Sequence, residues 1–226
     1  MFERLELLIG KDNLEQIKSK KILVVGVGGV GGFVVEGLIR SGIENITIID
    51  NDIVSLSNKN RQVIALDSTI NRKKVEVLEK RILDINPNVI VTGIDLFLDK
   101  TTISDVDFGI FDYVIDCCDF LEAKKLIIKK CLEVKTKFIS CMGTGKRLDP
   151  TKLMITDIRK TSYDPIARIL RKYLKDENIN DKVLVCYSSE IPKKQNFKTI
   201  SSAVFVPSSA GILIASYVIR DFINEI

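Results

Sequence analysis

The chain has 226 residues, 46% hydrophobic and 28% charged, with a formal charge of +4. That balance fits a globular domain with one sizeable core and excludes a low-complexity chain, while the mild positive charge suits RNA and small anions alike. Histidine is absent, which excludes Ser-His-Asp and Cys-His nucleophile systems and leaves proton and charge work to Lys, Arg, Asp, Glu, Tyr, Cys or the substrate.

Residues 3–19 read as one or two short amphipathic helices. Their charges (Glu3, Arg4, Glu6, Lys11, Asp12, Glu15) leave no secretory signal in that stretch. Lys21–Val25 is a short apolar run ended by glycine, the pattern of a parallel strand buried on both faces. A helix follows over Gly31–Ser41, closed by Gly42, and a strand over Asn45–Ile49 ends on Asp50. Helix 71–85 stops at Asn86-Pro87. Strands Val89–Ile94 and Tyr113–Cys117, helix Leu121–Val134 and strand Lys137–Cys141 continue the alternation. Strands alternating with helices of this length predict right-handed βαβ units, hence an α/β fold with a Rossmann-like, doubly wound, mostly parallel sheet.

After Gly145 the rhythm changes. Met154–Ile158, Lys182–Tyr187 and Ala203–Val206 read as strands, 165–175 as a helix, and 190–200 as a mobile loop. Residues 146–226 are therefore expected to extend the sheet of a core at 1–145, the whole forming a single domain. The apolar run Ile200–Ile219 is broken by Pro207 and serines, so it reads as a packed C-terminal helix and not a membrane span.

The loop Gly26-Val27-Gly28-Gly29-Val30-Gly31 has the spacing G-x-G-x-x-G. In a strand–loop–helix setting these glycines allow a tight turn, backbone approach to phosphate and close helix packing, and the helix N-terminus attracts an anion. Asp50 ends the next strand, where a carboxylate accepts from ribose hydroxyls. NAD and ATP both present a ribose and phosphates, so the motif does not choose between them. Arg61 and Lys74 behind the loop favour a triphosphate losing pyrophosphate, whose added charge calls for cations; the alternative is a solvated face. Asp119 is a candidate Mg²⁺ ligand at the carboxyl edge of the sheet; the alternative is an N-cap for the helix at 121.

Together, GVGGVG, D-x-D at 50–52, VSLSNxxRQ at 54–62, Lys74 and DCCD at 116–119 resemble the E1-like adenylating superfamily. RLELLIG, MGTGKRLDPT, DIRKTSYDPIARILRK and FVPSSAG are similar to one branch, the tRNA threonylcarbamoyladenosine dehydratase family. The resemblance implies that Gly28, Gly29 and Gly31 hold phosphates, Asp50 the ribose, Asn58, Arg61 and Lys74 the triphosphate, and Asp119 the Mg²⁺. It also implies Gly26, Asp52, Gln62, Asp116 and Cys117 around ATP, with Arg4, Arg61, Lys74 and Asp119 as the catalytic set. Arg4 would act on the nucleotide of the neighbouring subunit of a homodimer. The implied reaction is ATP-dependent cyclisation of the modified base in tRNA through an acyl-adenylate, releasing AMP and pyrophosphate, with a sulfur-transfer protein as a further partner. The alternative is adenylylation of the C-terminus of a ubiquitin-like sulfur carrier, but relatives of that kind commonly carry two Cys-x-x-Cys zinc pairs, and this chain has none.

The five cysteines (117, 118, 131, 141, 186) are an odd number without a Cys-x-x-Cys pair, which argues against a disulfide framework and a zinc site and for a reducing cytoplasm. Cys186 ends an apolar run and reads as a packing residue, a sulfur acceptor being the alternative. Arg168, Arg171, Lys172 and Lys175 on helix 165–175, together with Lys193, Lys194 and Lys198 in the loop beyond, are candidate tRNA-backbone contacts; a solvated basic face is the competing reading.

Overall fold

The computed structural model describes residues 1–226. Strand β1 (Lys21–Val25) sits mid-sheet, and its side chains alternate between two cores: Ile22 and Val24 enter one, Leu23 and Val25 the other. Burial on both faces explains why the strand is apolar at every position after its first. Strand β2 (Asn45–Ile49) pairs with it on one side and β4 (Tyr113–Asp116) on the other, both parallel. β3 (Ile90–Ile94) lies beyond β2, and β5 (Lys137–Cys141) beyond β4. β7 (Leu184–Ser188) runs parallel to β5, and β6 (Leu153–Asp157) closes that edge antiparallel, giving the order β3-β2-β1-β4-β5-β7-β6. This is the doubly wound, mostly parallel sheet that the alternation predicts.

Helices cover both faces. α2 (Lys11–Lys18), α3 (Gly31–Arg40), α4 (Lys74–Ile85) and α7 (Phe205–Phe222) supply one core; α5 (Leu121–Val134) and α6 (Pro165–Asp176) supply the other. α1 (Glu3–Ile9) precedes them and buries no residue. No helix is long and apolar enough to cross a membrane.

Two expected elements change. Helix α4 starts at Lys74 rather than 71, because Asn71 takes a left-handed φ of 66° and its N–H bonds to the Val54 carbonyl. The strand expected at Ala203–Val206 is the start of α7. Pro207 stands in the first turn, where a missing N–H costs nothing, and Val206, Ala210, Ile214 and Val218 are buried at helical spacing. α7 lies so close to α3 that a Cβ on Gly211 would come within 2.5 Å of the Val30 carbonyl oxygen.

Candidate nucleotide site

The glycine loop separates into two kinds of position. Gly26 turns the chain at φ 83°, and a Cβ there would meet the Cys118 nitrogen at 2.7 Å; one on Gly31 would meet the Gly26 carbonyl oxygen at 1.8 Å. The protein's own packing demands both. Gly28 and Gly29 are different, since a Cβ on either would have no protein neighbour nearer than 3.5 Å. Their bare backbone lines a cavity at the carboxyl ends of β1 and β4, where the strand order reverses and doubly wound sheets bind ligands. Side chains there would fill the space that a ligand needs.

The wall opposite is built from charge. Asp50, at the end of β2, accepts N–H bonds from Val27 and Asp52 at 2.8 and 2.9 Å, which ties it to the glycine loop. Burial raises its pKa above the ordinary 3.8, opposed by Lys74 and by those two backbone donors. Lys74 reaches over from the first turn of α4 to Asp52 at 2.6 Å and Asp50 at 3.9 Å, with only 5% of its side chain exposed. Arg61 is held by the Ser57 carbonyl and Asn60, each at 2.9 Å, and Asn58 accepts from the Ser55 N–H to close a short turn. Gln62 is buried in the same wall, and its Oε1 has no partner in the chain. An unsatisfied buried acceptor beside a bare-backbone cradle fits a bound nucleotide that brings its own donors.

Asp119 lines the cavity and is exposed, while α5 begins without any side-chain cap. The carboxylate is thus not spent on capping the helix. No cluster of three or more acidic, His or Cys side chains is arranged for a metal, so an ion here would take its other oxygens from phosphate and water, as magnesium commonly does.

Gly26, Gly28, Gly29, Asp50, Asp52 and Asn58 line this one cavity, as do Arg61, Gln62, Lys74, Cys117 and Asp119. Gly31 stands behind it, in the turn. Asp116 requires a correction: it is wholly buried beneath the floor, bonded to Lys124 at 2.9 Å and Ser140 at 2.5 Å, so its carboxylate cannot touch a nucleotide. Arg4 stands exposed on α1 and does not line the cavity of its own chain. Among the helical basic residues, Arg168 and Lys172 are exposed. Arg171 instead bonds the Thr161 carbonyl at 3.2 Å and the Thr161 hydroxyl, anchoring the turn before α6, which withdraws it from the free basic face.

Cys118 lines the cavity beside Cys117, and Val30, Thr144, Ser202 and Pro207, which escaped the sequence reading, line it too. Thr144 had a signal, a polar residue between two glycines at the end of a strand. Ser202 had none; it arrives through a long-range bond from Asn60 to its carbonyl at 2.9 Å. Burial, Cys141 and Asp116 push the Cys117 thiol well up, and a hydrogen bond with Cys141 together with burial does the same to Cys186.

Topology and cavity define a nucleotide-binding protein of the doubly wound α/β class. Residues 2–223 match the ThiF family, and the chain belongs to it, as the resemblance implies. It is 39% identical to the tRNA threonylcarbamoyladenosine dehydratase of Bacillus subtilis, over 100% of this chain and 95% of that protein. The enzyme of that name from Escherichia coli is 38% identical over 75% of this chain and 63% of its own length. The solved structure of the Escherichia coli dehydratase with ATP superposes with a TM-score of 0.90 at 32% identity, covering 99% of this chain and 94% of that one. A molybdopterin-synthase adenylyltransferase from Haemophilus influenzae is 32% identical over 71% of this chain and 65% of its own length.

Proposed function

We propose that this chain is an ATP-dependent tRNA-modifying enzyme that closes N6-threonylcarbamoyladenosine into its cyclic form. The likeness to the Bacillus subtilis dehydratase along the whole chain carries this reading. The cavity geometry supports the nucleotide half of it, since the Gly28–Gly29 backbone faces a wall holding Lys74 and Arg61.

In this reaction the threonyl carboxylate on the tRNA base attacks the α-phosphorus of ATP, and the bond to the β-phosphate bridge breaks, so pyrophosphate leaves. The substrate's carbamoyl group then attacks the acyl carbon, closing a ring and expelling AMP; the water formally lost is accounted for by the cleavage of ATP. Asp50 orients the ribose, while Lys74 and Arg61 stabilise charge on the phosphates. Such an enzyme works by positioning and electrostatics, which a chain without histidine can supply. Asp119 would hold Mg²⁺, which spreads charge on the leaving pyrophosphate. Arg4 acts on the nucleotide of a second copy in a homodimer, and the enzyme works in the cytoplasm.

Mass analysis of nucleosides after incubating modified tRNA with ATP, magnesium and the protein tests this directly. The expected product is lighter by one water, with one AMP formed per event. Unchanged nucleosides, with ATP–pyrophosphate exchange stimulated only by the C-terminus of a sulfur carrier, would overturn it in favour of the adenylyltransferase reading.

A further inference from the structure

Beside the nucleotide cavity lies a second, smaller depression lined by Lys146, Arg147, Lys193, Ser201 and Ser202, among others. Ser202 lines both, so the two spaces adjoin. The lysines are presented by a fixed scaffold. The Lys146 N–H bonds the Ser201 carbonyl and its carbonyl accepts from Lys193 N–H, both at 2.8 Å, so three loop segments are stitched through one residue. Gly145 allows this, since a Cβ there would strike Ile200 at 2.5 Å.

Lys146 itself takes φ 62°. A left-handed conformation is uncommon for a residue other than glycine. Arg147 is buried and committed to Asp164, Gly143 and Tyr163, so it supports the depression without facing outward. Lys146 and Lys193 form no ion pair, and Glu190, the nearby acid, is turned onto the Leu148 and Asp149 N–H groups.

We propose that this depression binds a backbone phosphate of the RNA substrate, next to the nucleotide whose carboxylate enters the ATP cavity. The assignment rests on the tRNA-modifying reading above and narrows the broad basic surface expected on α6 and the loop beyond it to one phosphate position, adding Lys146 and setting Arg171 aside. Two uncompensated cations beside the Ser202 wall shared with the nucleotide cavity match a phosphodiester next to the reaction centre, whereas the Ser201 hydroxyl is already bonded to Gln195 at 2.8 Å.

The test measures binding of tRNA to the full-length protein at several salt concentrations, for the wild type, Lys146→Gln/Lys193→Gln, and Lys129→Gln/Lys130→Gln on distant α5. The Lys146/Lys193 double variant should bind tRNA about tenfold more weakly near 0.15 M salt, with a shallower salt slope, and keep wild-type affinity for ATP. The α5 variant should match the wild type. Equal tRNA affinity and slope in the Lys146/Lys193 double variant and the wild type overturn the phosphate site alone. Wild-type protein that binds no tRNA, yet binds a sulfur-carrier protein through these lysines, overturns the site together with the functional reading beneath it.

Discussion

Replacing Gly31 with alanine would put a methyl carbon 1.8 Å from the Gly26 carbonyl oxygen, a clash that only backbone displacement relieves. The same change at Gly28 meets nothing nearer than Gln62 Nε2 at 3.5 Å. Two glycines of one motif should therefore fail differently. Gly31→Ala should yield little folded protein, whereas Gly28→Ala should melt within about 2 °C of the wild type and bind ATP at least about tenfold more weakly. Melting curves and calorimetry on the two variants settle the matter; an unimpaired Kd in Gly28→Ala would show that the cradle does not touch phosphate. Lys74 makes a sharper case. Its ammonium is nearly buried between Asp50 and Asp52, so alanine removes the cation facing the nucleotide and leaves Asp50 without its main counter-charge. Lys74→Ala should lower AMP formation by about a hundredfold or more while circular dichroism stays native. A rate within twofold of the wild type would remove Lys74 from the mechanism.

Elements are tied to one another on the helical face by Glu36 of α3, which takes Arg81 of α4 at 2.7 and 3.1 Å and Arg40 of its own helix at 2.8 Å. Burial works to raise the Glu36 carboxyl, but the two arginines outweigh it and hold its pKa below the ordinary 4.5. A carboxyl more acidic in the folded chain than in the unfolded one stabilises the fold above its unfolded pKa. That contribution disappears as pH falls through the folded value. Glu36→Gln should therefore melt a few degrees lower at pH 7, and the gap should close as pH is lowered from about 5 towards 3. A gap independent of pH would mean that packing, not charge, joins these helices. The contact of α3 with α7 depends on size instead. Gly37 faces Ala215, and Gly211 faces the Val30 carbonyl and Phe33. Overpacking this seam with Gly211→Ala should cost about 1–3 kcal/mol, read as a fall in Tm of roughly 3–10 °C.

Across the whole molecule, what the sequence made legible were features set by local periodicity and by chain position at strand ends. Asp50 and the glycine loop follow β2 and β1 directly, and Lys74 opens a helix, so spacing alone brings them to one edge of the sheet. Ser202 comes to the same cavity only through pairing between distant segments, its carbonyl accepting from Asn60, which no local pattern encodes. The short apolar run around Val204 and Val206 mimics a strand until its contact with α3 is known. Asp116 was misplaced for a related reason: successive strand residues point to opposite faces, and the end of β4 turns Asp116 into the α5 layer and Cys117 towards the cavity. That buried carboxylate has its own consequence. Lys124 of α5 lies 2.9 Å from Asp116 and 2.8 Å from the Cys141 carbonyl, joining β4, α5 and β5 under the floor. Burial alone would lower the Lys124 pKa, but Asp116 outweighs it and raises the ammonium above its usual value. Lys124→Met strands the carboxylate and should cost about 3–5 kcal/mol. Removing both charges, in Asp116→Leu/Lys124→Met, should recover most of that stability, because a well-packed apolar pair replaces a buried ion pair at little loss. Function should not recover with it. Asp116 also accepts the Cys118 N–H at 3.1 Å, which anchors the loop carrying Asp119. The double variant should thus regain a near-native Tm yet bind ATP with magnesium several-fold more weakly; recovery of both together would show that the network supports the fold and leaves the cavity floor untouched.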